Sequence, residues 1–454
     1  MTIRPFKHIC VVLLLLPGTC LWSQVDDTAG NAGAGSNDSR MLTPPPVSGQ
    51  SYPTVATSEE RANYLRGGLA FTSAYNDNAL GSVSGHPVSD VSYSVAPFVS
   101  LDETTSRLHL ALSYAPGFTF YQRLSSRNEA DQNASIDLQY RLSPHVTFSA
   151  RDGFQKSSNV FNQPDSASAA AVSGGTQEPN FSVIAPIADR LSNSGNAGIT
   201  YQFAANGMVG ASGTFSNLHY SNSAEVPGLF DSSSQGGSVF YSHRVSKMHY
   251  IGVTYQYQRL ISYPTTGQSE TQTHALLFFY TLYATSRFSI SFFGGPQHSD
   301  TVEPPLPPLR LQLPAARAWT PAAGASISWQ GRLTSLAASY SHMISGGGGL
   351  IGAVHMDSAT ASIRQQMTRN LSGSIAGSYT QNNLLASALG DGLNGHTISG
   401  TASLQRQLLQ HINLELGYTR LHQNYSGVAV LAATPNTNRE FVSISYQFSR
   451  PLGR

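Results

Sequence analysis

The sequence has little charge, almost no cysteine and no apolar run long enough for a membrane-spanning helix. Only 11% of the 454 residues are charged, against about 25% in an ordinary soluble domain. The most apolar stretch beyond the N terminus, residues 275–293, is interrupted by polar residues that include Arg287. A spanning helix needs about 20 apolar residues in a row. If this protein lies in a membrane, it must therefore cross it as a closed β-barrel.

The two cysteines, Cys10 and Cys20, both lie in a segment with the pattern of a cleavable signal peptide. A basic start with Arg4 and Lys7 precedes a short apolar core, and Ser23 is a suitable residue before the cut. We therefore predict a signal peptide over residues 1–23 and export of the chain. A buried N-terminal helix, or lipidation at Cys20, are the alternatives.

Removal of this segment excludes several kinds of chemistry. The exported chain would have no cysteine, hence no disulfide and no thiolate metal site. Without Arg4 and Lys7, the 26 basic residues fall to 24 against 25 acidic ones. That balance gives no support for nucleic-acid binding, which needs a clustered basic surface.

The rest of the chain divides into two parts. Residues 24–60 are rich in Gly, Ser, Asp and Pro, which predicts a disordered periplasmic linker. Residues 61–454 alternate apolar and polar residues, as in 251–258, where Gly252, Thr254 and Gln256 separate the apolar side chains. This two-residue period predicts an all-β fold. The same pattern appears at 108–114, 136–142, 287–292, 412–419 and 442–448.

Short and long connections alternate along the chain. Two strands fit between successive tight turns, and we expect a first strand near 64–75 and a last strand near 438–448. The sequence therefore predicts an antiparallel up-and-down transmembrane β-barrel of about 18 strands, within a range of 16–18. In bacterial barrels short turns face the periplasm and long loops face outside. We predict tight turns at 104–105, 143–144, 205–206, 246–247, 285–286, 330–331, 368–369 and 409–410. We predict longer connections at 76–90, 157–189, 221–234, 299–316, 345–354, 383–393 and 425–437.

A repeat of about 40 residues also fits a β-propeller. We favour the barrel because each repeat holds two long strands rather than four short ones, and the sequence has no Trp-Asp dipeptide. Many of the 21 Tyr and 20 Phe residues lie near predicted strand ends. Such positions are typical of the aromatic girdles at a lipid–water boundary.

The terminal strand, residues 441–448, reads Phe-Val-Ser-Ile-Ser-Tyr-Gln-Phe. It is similar to the alternating aromatic assembly signal of the β-barrel porins of Gram-negative outer membranes. The strand–turn pattern over residues 61–454 also resembles that group. The resemblance implies an outer-membrane location, insertion by the barrel-assembly machinery, contact with outer-membrane lipid and passage of small polar solutes. Whether the protein forms a homo-oligomer is left open.

Motifs for catalysis are absent from the sequence. Residues 347–352 formally match a dinucleotide fingerprint, but a strand-like segment follows instead of the helix that the motif requires. Neither an HExxH pair nor a G-x-S-x-G elbow occurs. We therefore expect no enzyme activity, no metal and no cofactor.

Charged residues on the polar side of the strands are the candidate functional residues. Charge on the lipid face costs about 2–4 kcal/mol for Arg at mid-membrane, so we expect them to point into the lumen. Salt-bridged packing and a mildly cation-rich, selective pore are both open interpretations. The pore-lining candidates are Asp137, Arg141, Arg151, Arg244, Arg364 and Glu415.

A barrel of this size is wide enough for an aqueous channel, so the predicted function is passage of small polar solutes. The alternatives are a plugged barrel that serves as a surface adhesin or structural anchor, and the outer-membrane exit of polysaccharide export. The apolar residues 181–187 predict that the longest connection, 157–189, either narrows the pore or faces a ligand. The Pro-rich stretch 301–314 is expected to be extended and stiff.

Overall fold

The computed structural model describes residues 63–79, 87–157, 189–221, 228–264, 267–285, 287–303, 315–346, 349–350, 352–385, 394–426 and 436–452. The predicted signal peptide, the linker, almost all of the 157–189 connection and most of the Pro-rich stretch lie outside these residues. Within them, the helical structure is one 3₁₀ turn, Ser125–Arg127. The described residues include no helix of the length and apolarity needed to cross a membrane.

Eighteen antiparallel strands form one closed sheet in which each strand pairs with its neighbours in the chain. β1 also pairs with β18, from Tyr64 opposite Pro451 to Asn76 opposite Arg439, and this pairing closes the barrel. The strands are β1 Tyr64–Asn76, β2 Asp90–Thr104, β3 Leu108–Tyr121, β4 Glu129–Arg141, β5 Val146–Ser157, β6 Arg190–Ala204, β7 Gly207–Tyr220, β8 Ser232–Arg244, β9 His249–Ser262, β10 Ser269–Thr285, β11 Phe288–Val302, β12 Ala316–Gln330, β13 Thr334–Gly346, β14 Ala353–Thr368, β15 Leu371–Leu384, β16 Asn394–Leu409, β17 Ile412–Tyr425 and β18 Asn436–Pro451.

The predicted fold is confirmed in strand number, topology and connection lengths. Each of the eight predicted tight turns lies at a short connection from an even-numbered to an odd-numbered strand, as at 205–206 between β6 and β7. The longer connections lie at the opposite end of the barrel. Up-and-down closure of a single sheet excludes the propeller, whose sheets are separate blades.

The outward face of the strands carries an apolar band. On β18, Val442, Ile444, Tyr446 and Phe448 are 43–49% exposed. This row runs between Glu440 and Arg450. At about 3.4 Å per residue and a tilt of about 40°, these two charged residues lie about 26 Å apart along the barrel axis. This height matches the apolar band of about 25 Å in outer-membrane barrels.

The inward face is lined by small hydroxyl side chains that bond across the strands. Each bond joins two residues that face each other in the ladder, and these positions make the inner wall polar without adding charge. Cross-strand hydroxyl pairs of this kind add to sheet stability. Examples are Thr72–Ser443 at 2.9 Å, Ser113–Ser135 at 2.5 Å, Ser212–Ser238 at 2.8 Å, Ser374–Ser403 at 2.9 Å and Ser378–Ser399 at 2.7 Å.

Candidate functional site

Two of the predicted pore-lining residues, Asp137 and Arg151, form an ion pair on the inner wall. They face each other across β4 and β5. Arg151 donates from Nε to Asp137 Oδ2 at 2.8 Å and from Nη2 to the same oxygen. The side chain of Arg151 is 37% exposed and that of Asp137 17%. The pair is therefore salt-bridged and remains accessible from the lumen.

Arg141 and Arg244 lie at the short-turn rim of the barrel. Arg141 donates from Nη1 to the carbonyl oxygen of Ser106 at 3.3 Å. Arg244 donates from Nη2 to the carbonyl oxygen of Ala205 at 2.8 Å. Both arginines therefore hold a neighbouring tight turn at the rim.

Arg364 and Glu415 face the lumen nearer the short-turn end. Their neighbours Ile363 and Leu416 are outward and 37% and 45% exposed, so alternation turns the charged residues inward. The six predicted residues lie on β4, β5, β8, β14 and β17 and at different heights. The structure does not gather them into one ring, and their role in selectivity stays a prediction.

Solvent access to the luminal face decreases from the short-turn end towards the loop end. On β14, Arg364 is exposed, Thr360 is half-buried and Val354 is 0% exposed. On β17, Thr419 is half-buried and Tyr425 is 1% exposed. The luminal face is therefore accessible to water in its short-turn half and buried at its loop-side end.

An apolar cluster with residues from both sides of the barrel lies at this loop-side mouth. A round barrel of 18 strands would hold opposite backbones about 35 Å apart. No side chain spans that distance, so residues of two connections, Leu229 and Leu350, bridge the two walls. This mouth cluster consists of Tyr220 of β7, Leu229 from the β7–β8 connection, Leu350 from the β13–β14 connection, Val354 and Met356 of β14, and Tyr425 of β17.

Hydrogen bonds from the two connections reinforce the mouth cluster. Phe230 N–H donates to the carbonyl oxygen of Gly349 at 2.7 Å, and Gly352 N–H donates to Ser262 Oγ at 3.0 Å. Gly349 has φ +105°, and a Cβ there would lie 2.5 Å from the Tyr220 hydroxyl. Backbone conformation and close packing therefore both require glycine at this position.

A buried polar network fixes Tyr425 in the mouth cluster. Its hydroxyl accepts a hydrogen bond from Asn382 Nδ2 at 3.0 Å and lies 3.4 Å from Thr397 Oγ1. Thr397 Oγ1 donates to Gln423 Oε1 at 3.3 Å. Asn382 and Gln423 are 0% exposed. Since buried polar groups need partners, displacement of Tyr425 would disturb all three neighbours.

The ladder between β12 and β13 ends before the strands do. It runs from Gln330 opposite Ser335 to Ala323 opposite His342. Beyond this point residues 316–322 of β12 still pair with β11, and residues 343–346 of β13 still pair with β14. We call the place where the β12–β13 ladder stops, at residues 316–322 and 343–346, the seam.

Beyond the seam, β13 lies inside the barrel. By alternation Ile344 belongs to the outward row of Leu336 and Tyr340, which are 36% and 45% exposed, yet it is 1% exposed. Ile344 packs in a cluster with Leu260, a luminal residue of β9. Its N–H donates to the side-chain oxygen of Gln297 on β11 at 3.1 Å.

A second apolar cluster covers the inner wall next to the seam. It consists of luminal side chains of β10, β11, β12 and β13. Phe293 lies over Gly324, where a Cβ would be 2.3 Å from the ring. The cluster consists of Ala275, Leu277, Phe279, Phe293, Ala322 and Met343.

The sequence did not predict the mouth cluster or the seam. One signal was present: Met343 and Ile344 are adjacent apolar residues that break the alternation, and a glycine run begins at Gly346. Adjacent apolar residues indicate a strand that is buried on both faces. Among the described residues, no group of three or more His, Cys, Asp or Glu side chains is arranged to hold a metal ion.

A closed 18-stranded sheet with an apolar outward band and a polar inner wall defines this chain as an outer-membrane β-barrel. No protein-family model matches the sequence. No curated protein matches it either.

Solved structures are similar to this chain at very low sequence identity and with TM-scores of 0.37–0.40. OccAB4 of Acinetobacter baumannii is 8% identical, with a TM-score of 0.40, over 86% of this chain and 100% of that one. The outer membrane protein OpdK of Pseudomonas aeruginosa is 9% identical, with a TM-score of 0.37, over 85% and 99%. The FrpB iron transporter of Neisseria meningitidis is 7% identical, with a TM-score of 0.40, over 85% and 82%. The likeness concerns the barrel fold alone.

Proposed function

We propose that this protein is an outer-membrane channel for small polar solutes whose loop-side mouth is closed in the conformation described here. The single observation that carries the proposal is the gradient of solvent access along the inner wall. The hydroxyl-lined, water-accessible half suits the passage of polar solutes, and the mouth cluster is the barrier that they must pass. The chain is proposed to let solutes through without converting them chemically.

A barrel that stays plugged is the second candidate, and the mouth cluster favours it. Tyr425 and its buried network resemble a permanent core more than a loose constriction, because every displaced amide must find a new partner. A plugged barrel would serve as a structural anchor or an adhesin. Its loops, not its lumen, would then carry the function.

Single-channel recording in a planar lipid bilayer tests the proposal. We expect the refolded full chain to give infrequent conducting steps that begin from a closed level. Folding and insertion are checked in the same sample by heat-modifiable migration on gels. If the inserted barrel stays silent at all voltages, the channel proposal is wrong and the plugged barrel is supported.

The ion pair predicts a change in charge selectivity. Asp137→Asn leaves Arg151 without its carboxylate partner, so the accessible charge of the inner wall becomes more positive. We expect the reversal potential in a salt gradient to shift towards anion selectivity, and Arg151→Gln to shift it towards cation selectivity. The double variant should return close to the wild type. Equal potentials in all four proteins would show that this pair does not face the conducting path.

A further inference from the structure

The tight turns at the short-turn end of the barrel contain basic residues and no acidic ones. Five of the eight connections from an even-numbered to an odd-numbered strand contain one Lys or Arg, and none contains Asp or Glu. By sequence, the connections at the opposite end contain eight Asp or Glu and three Lys or Arg. The two ends of the barrel therefore differ in the sign of their charge. The five basic residues, which we call the rim cations, are Arg107, Lys247, Arg287, Arg332 and Arg369.

The rim cations are accessible to an anionic partner. All five are exposed. Within the part of the chain that the structure describes, the four rim cations other than Arg369 form no ion pair. Main-chain bonds fix their turns, as where Gly331 N–H donates to the carbonyl oxygen of Thr334 at 2.7 Å. Fixed positive charges of this kind attract anions to the surface that holds them.

The rim cations lie next to exposed apolar side chains at the edge of the outward band. Met367, on the outward face of β14, is 56% exposed, and Arg369 follows two residues later. At about 3.4 Å per residue and a tilt of about 40°, this step is about 5 Å towards the periplasm. Leu333, which is 60% exposed, stands beside Arg332. An apolar side chain beside a cation is typical of an interfacial anchor, with the first in hydrocarbon and the second among headgroups.

We propose that the rim cations bind the anionic headgroups of phospholipids in the leaflet around the short-turn end. A guanidinium can donate two parallel hydrogen bonds to a phosphate. Arg107 lies between β2 and β3, and Arg332 between β12 and β13, on nearly opposite sides of the closed sheet. Charges on opposite sides of a barrel suit a partner that surrounds it, as phospholipids do. This binding would hold the barrel at a fixed depth in the membrane.

Trp329 is a built-in reporter for lipid at the short-turn end. It faces outwards from β12 and is 42% exposed. Its ladder neighbour on β11 is Phe288, which directly follows Arg287, and Arg332 comes three residues after Trp329 in the next turn. The indole therefore lies between two neighbouring rim cations.

Trp319 supplies the matched control at the loop end of the same strand. It also faces outwards and is 72% exposed. The cation nearest to it in the strand, Arg317, already has a carboxylate partner, since its Nε donates to Asp300 Oδ2 at 3.2 Å. We therefore expect the lipid around Trp319 to show little preference for an anionic headgroup.

Quenching by a brominated anionic lipid tests the proposal in the full chain. Trp22→Phe combined with either Trp319→Phe or Trp329→Phe leaves one reporter at a time. Each protein is refolded into vesicles of phosphatidylcholine with increasing shares of brominated phosphatidylglycerol, and folding is checked by heat-modifiable migration on gels. We expect phosphatidylglycerol to be favoured over phosphatidylcholine at Trp329 by about fivefold for each rim cation. At Trp319 the two lipids should compete equally.

Substitution of the two neighbouring cations should remove the preference at Trp329. We expect Arg287→Gln with Arg332→Gln to bring the two lipids to equal competition there, and the corresponding Lys variants to keep most of the preference. Arg107→Gln, on the far side of the barrel, should change nothing at Trp329. High salt should weaken the preference, because it screens exposed charges.

Two results would overturn the proposal. The first is the same lipid preference at Trp329 and Trp319. The second is a preference at Trp329 that survives the two Gln substitutions in a folded barrel. If the rim cations show no lipid preference but their substitution changes the reversal potential of the channel, they belong to the path of the solute and not to the lipid.

Discussion

Replacement of Ile444 by arginine is expected to lower the free energy of unfolding in lipid by about 2–4 kcal/mol. Ile444 is 49% exposed on the outward face, in the middle of the apolar row of β18. It faces Phe71 of β1 and Leu414 of β17. A guanidinium at this height would lie in hydrocarbon with apolar neighbours on both sides. Urea titration of the barrel in lipid vesicles measures the change.

The adjacent residue supplies the matched control. Ser443 faces the lumen, where its hydroxyl accepts a hydrogen bond from Thr72 at 2.9 Å and its ladder neighbour is Glu415. Ser443→Arg loses that bond, and its charge is hydrated and lies near a carboxylate. We expect a loss of about 1 kcal/mol or less. Equal losses at both positions would mean that the two faces of β18 do not meet lipid and water as described.

Removal of the Tyr425 ring is expected to open the mouth. Tyr425→Ala takes a large, fully buried side chain out of the mouth cluster and removes the acceptor of the Asn382 hydrogen bond. A large-to-small change in a packed core costs about 3–5 kcal/mol, so the closed state should lose most of its advantage. We expect conducting steps to become frequent in bilayers, and vesicles to become permeable to small sugars in a swelling assay.

Tyr425→Phe separates the ring from the hydroxyl. It keeps the apolar packing against Val354 and Met356 and removes only the bond from Asn382. We expect a smaller rise in open time than for Tyr425→Ala, since one neutral hydrogen bond contributes about 0.5–1.5 kcal/mol. If Tyr425→Ala folds, inserts and remains as closed as the wild type, the mouth cluster is not the barrier to solutes.

The strands and their order could be predicted from the sequence because a membrane barrel repeats one local rule. Each strand has one face in lipid and one in water, so alternation is nearly unbroken, as in residues 251–258 and 442–448. Turn residues at 205–206 and 330–331 mark the short connections. Both signals are local in sequence. Closure of the barrel, with β1 next to β18, is expected because an even number of strands places both termini at the same end.

The mouth could not be predicted in the same way because its contacts join distant parts of the chain. Tyr220 and Tyr425 look like ordinary aromatic residues at strand ends, and that position is equally typical of a girdle at the lipid boundary. Only the closed sheet places them on opposite walls, and residues of the β7–β8 and β13–β14 connections join them in one cluster. The predicted charged residues were easier to identify, because the alternation of side chains along a strand is enough to place Arg364 and Glu415 on the luminal face. Alternation does not show which residues they contact.

The most direct test of a lumen that is wet at one end and closed at the other is thiol reactivity along β14. The test uses single cysteines in a chain with Cys10 and Cys20 replaced by serine. Four of them report the luminal face, at Arg364, Ser362, Met356 and Val354. A fifth, at Ile363, reports the lipid face. With a membrane-impermeant maleimide on vesicle-inserted protein, we expect fast reaction at 364 and 362, and slow reaction at 356, 354 and 363. Uniform rates along the luminal face, or fast reaction at 363, would contradict this account.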